Sequence, residues 1–160
     1  MVLLGKALSG GFYPVSAVLC DDFIMNHIKP GQHGSTYGGN PLGSRVAVTA
    51  LDVLLDEKLS ENSARLGEVL KKNLTQILGT DKVKEVRGKG LFVGAEFKSD
   101  DFAYKLSSRM LHHGLIAKPT HKNIIRFSPP LVITDKEIEE ASSIIEKSWK
   151  EIQWLNELPA

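Results

Sequence analysis

The run Leu3-Leu4-Gly5-Lys6-Ala7-Leu8-Ser9-Gly10-Gly11 limits what this chain can fold into more than any other segment. A short apolar stretch meets a glycine, a lone lysine and then a glycine pair, so a strand starting at Met1 must give way to a turn before Phe12. The lysine is thereby expected at the end of a buried strand. An ammonium held in apolar surroundings has its charged form disfavoured, which frees a nucleophilic amine near neutral pH. Such an amine can form an imine with a carbonyl compound. The alternative is a lysine that merely reaches solvent from a strand end.

The remaining punctuation divides the chain in two. Met1 to Leu4 and Val15 to Leu19 are short apolar runs bounded by glycine and proline, the pattern of buried strands. Asp21-Asp22 can cap a short helix through Asn26, stopped by Pro30-Gly31. Asn40-Pro41 is a helix start, because asparagine caps well and proline is tolerated at the first helical position. Val46, Ala47, Ala50, Leu51, Leu54 and Leu55 follow at helical spacing and predict one apolar face. Ser60 can cap a second helix carrying Ala64, Leu66, Leu70, Leu74 and Ile77, with Gly79 as its stop. The boundary is placed near Ser60, giving regions 1–59 and 60–160.

Past that boundary strands and helices alternate. Val83 to Val86 and Leu91 to Phe97 read as strands joined through Arg87-Gly88-Lys89-Gly90. Asp100 to His113 reads as a helix closed by Gly114 in the left-handed region. Leu115 to Lys118 and Ile124 to Phe127 are further strands, and Pro129-Pro130 prevents the second from continuing. Thr134 and Glu137 form a capping box ahead of Ile138, Ala141, Ile145 and Trp149, a final amphipathic helix. An antiparallel-rich sheet with helices on one face is the expected assembly.

Composition narrows the function classes. A chain of 160 residues can bury a core, and a formal charge of +1 gives no electrostatic reason to expect nucleic acid or a membrane as partner. One cysteine, Cys20, cannot form an internal disulfide, which fits a reducing compartment. Neither Gly5-Lys6 nor Gly88-Lys89-Gly90 has the spacing of a phosphate-binding P-loop. His27, His33, His112, His113 and His121 show no metal-ligand spacing, so no metal site is expected.

A second cluster, Gly31-Gln32-His33-Gly34-Ser35-Thr36-Tyr37-Gly38-Gly39-Asn40-Pro41-Leu42, completes a pattern with Gly5 to Val18. Val86 to Leu91, Gly114 to His121 and Ile124 to Leu131 extend it in order along the chain. Together these segments resemble the class III, fold-type I aminotransferases that use pyridoxal 5'-phosphate (PLP), most closely the ornithine aminotransferases among them. The resemblance implies an α/β chain corresponding to the C-terminal part of a fold-type I PLP-dependent transferase. Residues 1–59 would be a remnant of the large PLP-binding α/β domain with an interdomain helix, and residues 60–160 an α+β small domain.

What the resemblance implies for the site is carried over position by position. Lys6 matches the catalytic lysine that holds PLP and later moves the proton. Ser35 and Thr36 match contacts to the phosphate of the neighbouring subunit's PLP, which implies a homodimer. Arg126 matches an arginine that engages a substrate carboxylate, and Tyr13 could line the mouth of the site. The implied reaction is transfer of the δ-amino group of ornithine to 2-oxoglutarate, giving glutamate 5-semialdehyde and glutamate. Acetylornithine and 4-aminobutyrate are the alternative donors. The resemblance also implies a fragment: the glycine-rich phosphate loop, the ring-stacking aromatic, the aspartate at the ring nitrogen and the α-carboxylate arginine all belong upstream of Met1. A catalytically incompetent fragment is therefore a rival reading. The implied location is the mitochondrial matrix or the cytoplasm, with no targeting segment in this chain.

Overall fold

The protein is described here by a computed structural model covering residues 1–157, with side chains through residue 153. The chain divides into two compact units, Met1–Lys58 and a second from Leu59 onward.

The first unit contains strands β1 (Val2–Leu4) and β2 (Ala17–Leu19), a four-residue helix α1 (Asp22–Met25) and helix α2 (Pro41–Asp56). The two strands pair antiparallel, with Leu3 opposite Val18. They form within the expected runs, β1 one residue and β2 two residues shorter, but the expected burial is not found: Leu3 is 71% exposed and Leu19 53%. A two-stranded ribbon has two faces, and side chains stay in water unless another layer covers them. Asp21 precedes α1 in extended conformation but makes no side-chain cap bond. At α2 the expected start is present, with Pro41 in the first turn and the Asn40 side-chain carbonyl accepting the Gly43 N–H at 2.8 Å. Its inward stripe is Gly43, Val46, Ala47, Ala50 and Leu54, narrower than predicted. Leu51 and Leu55 lie off that stripe and are exposed.

The second unit builds a conventional two-layer core. Its elements are α3 (Leu59–Leu78), β3 (Val83–Lys89), β4 (Phe92–Phe97), α4 (Asp100–His112), β5 (Lys118–Thr120), β6 (Ile124–Phe127) and α5 (Asp135–Glu157). The strands form one antiparallel sheet in the order β3-β4-β6-β5. Alternation along β4 sends Val93, Ala95 and Phe97 into the core, where they meet Leu66, Leu70 and Leu74 of α3, Leu106 and Met110 of α4, and Ile138, Ile145 and Trp149 of α5. Each of the valine, leucine, isoleucine, methionine and phenylalanine side chains among them contributes about 1.5–3 kcal/mol on burial. The rings of Phe97 and Trp149 lie with centroids 5.8 Å apart.

Several boundaries moved from their predicted places. Ser60 lies inside α3, which starts at Leu59, because the buried Leu59 extends the apolar face by a turn. β3 runs on through Arg87-Gly88-Lys89, so the hairpin turns only at Gly90 and Leu91. β5 occupies Lys118–Thr120 rather than Leu115 to Lys118, since Gly114 and Leu115 complete the end of α4, with the Leu115 N–H bonded to the Met110 carbonyl at 2.9 Å. The capping box forms as expected: Thr134 N–H donates to the Glu137 carboxylate at 2.8 Å, and Glu137 N–H to the Thr134 hydroxyl at 3.3 Å.

Candidate functional site

From β1 the chain enters a series of overlapping turns. Leu8 N–H bonds the Gly5 carbonyl at 3.2 Å, Gly10 N–H the Ala7 carbonyl at 2.9 Å, and Phe12 N–H the Ser9 carbonyl at 3.2 Å. Lys6 sits in this series at φ 52°, a left-handed conformation. For a residue with a Cβ that geometry costs about 1–2 kcal/mol, and it is tolerated where surrounding bonds over-determine it. Gly10 and Gly11, at φ 65° and 82°, take the same region without that cost. Lys6 itself is exposed. The apolar enclosure expected of it is therefore not supplied by this unit, because β1 and β2 beside it are exposed as well.

The second cluster approaches from the start of α2. Gly38 N–H bonds the Ser35 carbonyl and Asn40 N–H the Tyr37 carbonyl, both at 3.3 Å. The Asn40 amide NH2 also donates to the Tyr37 carbonyl at 2.9 Å. Between the two clusters lies a cleft of about 890 Å³, within the range of small-molecule sites, bordered by Lys6, Tyr13, Ser16, Ser35, Tyr37 and Asn40. Of the residues predicted from sequence, Lys6, Tyr13 and Ser35 are brought together there. Thr36 is exposed and does not border the cleft.

Arg126 belongs to the second unit. It lies on β6 opposite Gly94 and Lys118, on the sheet face away from the core. Its guanidinium carbon is 5.7 Å from the centroid of the Phe92 ring, within cation–π range. Its Nε is buried with no hydrogen-bond partner. An arginine with an unused donor is suited to a carboxylate, which accepts two parallel N–H bonds.

Sequence reasoning read Asn40 only as a helix cap and passed over Ser16 and Ser44, which also border the cleft. No periodicity marks them, because Ser16 lies in a loop and Ser44 in the first turn of α2, and the two meet at the cleft only once the chain has folded. Among the residues bordering the cleft Lys6 supplies the only formal cation, and none is a carboxylate. Amine, hydroxyl and amide donors without an opposing acid suit an anionic, carbonyl-bearing ligand. Among the described residues no group of three histidines, cysteines or acids could hold a metal ion, and no helix is long and apolar enough to cross a membrane.

A mitochondrial ornithine aminotransferase of Rattus norvegicus is 58% identical over 151 residues, covering 92% of this chain and 34% of the relative. A probable mitochondrial ornithine aminotransferase of Caenorhabditis elegans is 55% identical over 92% of this chain and 35% of its own length. The chain thus spans about a third of the length of the curated relatives it matches. Among solved structures, the ornithine aminotransferase of Toxoplasma gondii superposes with TM-score 0.92 at 42% identity, over 98% of this chain and 37% of that one. The acetylornithine aminotransferase of Elizabethkingia anophelis gives 0.87 at 50% identity, over 93% and 40%. These matches bear out the fold-type I expectation over the portion compared. The model of the class III aminotransferases matches residues 1–148, nearly the whole chain, and with the lysine turn and serine-bearing loop meeting on one cleft, this chain belongs to that family.

Proposed function

We propose that the cleft beside Lys6 holds PLP and that the chain serves a transamination in which ornithine gives its δ-amino group to 2-oxoglutarate. The observation that carries this reading is the lysine amine bordering a carboxylate-free cleft with the hydroxyls of Ser16 and Tyr37. PLP, when bound, supplies the electron sink that makes the proton on the amine-bearing carbon labile. Lys6 Nζ is the attachment point for the cofactor and, once displaced by the substrate amine, the base that carries that proton. A primary amine is the only side chain able to fill both roles.

Ser35 and Thr36 donate hydroxyl bonds to a phosphate, and the resemblance assigns that phosphate to the neighbouring subunit. Thr36, exposed and off the cleft of its own chain, fits such a role. The working form is then a homodimer. Arg126, with its partnerless Nε, receives a substrate carboxylate. Tyr13, half-buried at the cleft, orients the substrate chain. In this reading residues 1–59 belong to the cofactor-binding domain and 60–160 to the small domain. Because Lys6 is solvent-exposed, the chain by itself is expected to turn over poorly. The mitochondrial relatives favour the matrix as the site of action over the cytoplasm.

A second donor, acetylornithine, is favoured by the 50% identity to the Elizabethkingia anophelis enzyme. A panel of ornithine, acetylornithine and 4-aminobutyrate, offered with 2-oxoglutarate to a PLP-loaded preparation, separates the readings. Ornithine should give the highest kcat/KM and glutamate 5-semialdehyde as product; preference for acetylornithine would replace the first reading with the second.

A further inference from the structure

We propose that Ser9 is a positioning residue for Lys6, acting through a hydroxyl clamp on Tyr13. Ser9 is 2% exposed and, with Gly43 and Ala47, one of the few buried residues of the first unit. Its hydroxyl is used twice: Oγ donates to the Tyr13 carbonyl and accepts the Tyr13 N–H, the latter at 3.1 Å. One side chain thus closes the loop over Gly10 and Gly11, the two residues whose backbone is least restricted.

The clamp is coupled to both sides of the cleft. Upstream, the bond from Gly10 N–H to the Ala7 carbonyl overlaps the turn around Lys6, so the left-handed Lys6 and the Ser9 loop form one continuous set of turns. Downstream, the Tyr13 ring lies against the start of α2, where a Cβ built on Gly43 would come within 3.3 Å of Tyr13 Cδ1. Gly43 is the residue that Asn40 caps. Ser9 therefore ties the lysine-bearing turn to the helix start that borders the cleft opposite it. Without the hydroxyl, two backbone groups of Tyr13 lose their partner and the two glycines are released. The backbone turn that carries Lys6 would then sample more conformations beside the cleft.

The proposal rests on Lys6 being the cofactor-bearing amine, and the test separates the two ideas. Wild type, Ser9→Ala and Ser9→Thr are incubated with limiting PLP, reduced with borohydride and mapped by mass spectrometry for label on Lys6 relative to the exposed Lys29 and Lys58. Hydrogen exchange of peptides spanning Ser9 to Pro14 is recorded without PLP. Loss of one net hydrogen bond corresponds to about three- to tenfold in an equilibrium. Ser9→Ala should lower the Lys6 preference by about that factor and speed exchange, and Ser9→Thr, which keeps the hydroxyl, should restore both. A general loss of stability would not change the ratio among lysines in the folded protein. Unchanged Lys6 preference in Ser9→Ala overturns the proposal and leaves the Lys6 reading standing, as does a Ser9→Thr variant that restores nothing. No Lys6 preference in wild type, with exchange still slowed by Ser9, overturns the Lys6 reading and the proposal with it.

Discussion

Gly67 of α3 and Gly90 at the β3–β4 turn approach so closely that a Cβ on Gly67 would lie 2.1 Å from the Gly90 carbonyl oxygen. The obstacle is backbone, so no rotamer relieves it. Ser63, one turn earlier on α3, holds the same turn by accepting the Leu91 N–H at 3.1 Å. In the Gly88-Lys89-Gly90 segment, which fails as a phosphate loop, Gly90 is explained by this packing and Gly88 by the facing Phe92 carbonyl oxygen, 2.3 Å from where its Cβ would lie. Gly67→Ala is expected to cost about 3 kcal/mol or more in urea unfolding. Gly94→Ala, whose Cβ would meet its nearest neighbour at an ordinary 3.7 Å, is the matched control and should cost little. Equal unfolding midpoints for the two variants would contradict the contact.

The Asn40 cap predicts a smaller effect. Removing the acceptor of the Gly43 N–H in Asn40→Ala should destabilise the start of α2 by about 1 kcal/mol. Asn40→Asp, which keeps an acceptor, should lose much less. Amide exchange at Gly43 reports the difference directly.

The second unit should lose stability in acid. A hydrogen bond from His113 holds the Glu151 carboxyl below its ordinary range, with the charges of His113, Arg109 and Lys147 acting the same way. Bonds from Lys84 and Arg87 do this for Glu96, those from Arg65 for Asp135, and those from Thr134 for Glu137. A carboxylate lowered on folding contributes stability that is present above its unfolded pKa and is lost as pH falls through the folded one. The urea midpoint should therefore drop from about pH 5 downward. Glu151→Gln should flatten part of that slope. Because these groups face solvent, salt should reduce the effect. A slope unchanged in Glu151→Gln would remove this pair from the account.

How far the sequence speaks for itself differs between the units. Local rules located the Thr134–Glu137 capping box, the Asn40-Pro41 helix start and the strand Ile124–Phe127, because each depends on residues within a few positions. The strand read from Leu91 to Phe97 was located in the same way, one residue longer than β4. The burial of β1 and β2 did not follow from their apolarity, since burial depends on a covering layer that a three-residue strand cannot specify. The Leu59 start of α3 and the place of β5 were set by tertiary packing over propensity. At the cleft, Lys6 stands out by its glycine-rich setting, and Ser35 only through the family resemblance. Ser9 does not, because a hydroxyl bonded to the backbone four residues on becomes visible only once the loop has closed.

The central claim is that Lys6 is the amine that receives PLP. Purified protein is titrated with PLP, followed by absorbance, reduced with borohydride and digested for mass mapping, with Lys6→Ala alongside. The account predicts an absorbance band characteristic of an imine, label concentrated on Lys6, and loss of both in Lys6→Ala with an unchanged circular dichroism spectrum. Label spread evenly over the surface lysines, or a band that survives in Lys6→Ala, would contradict it.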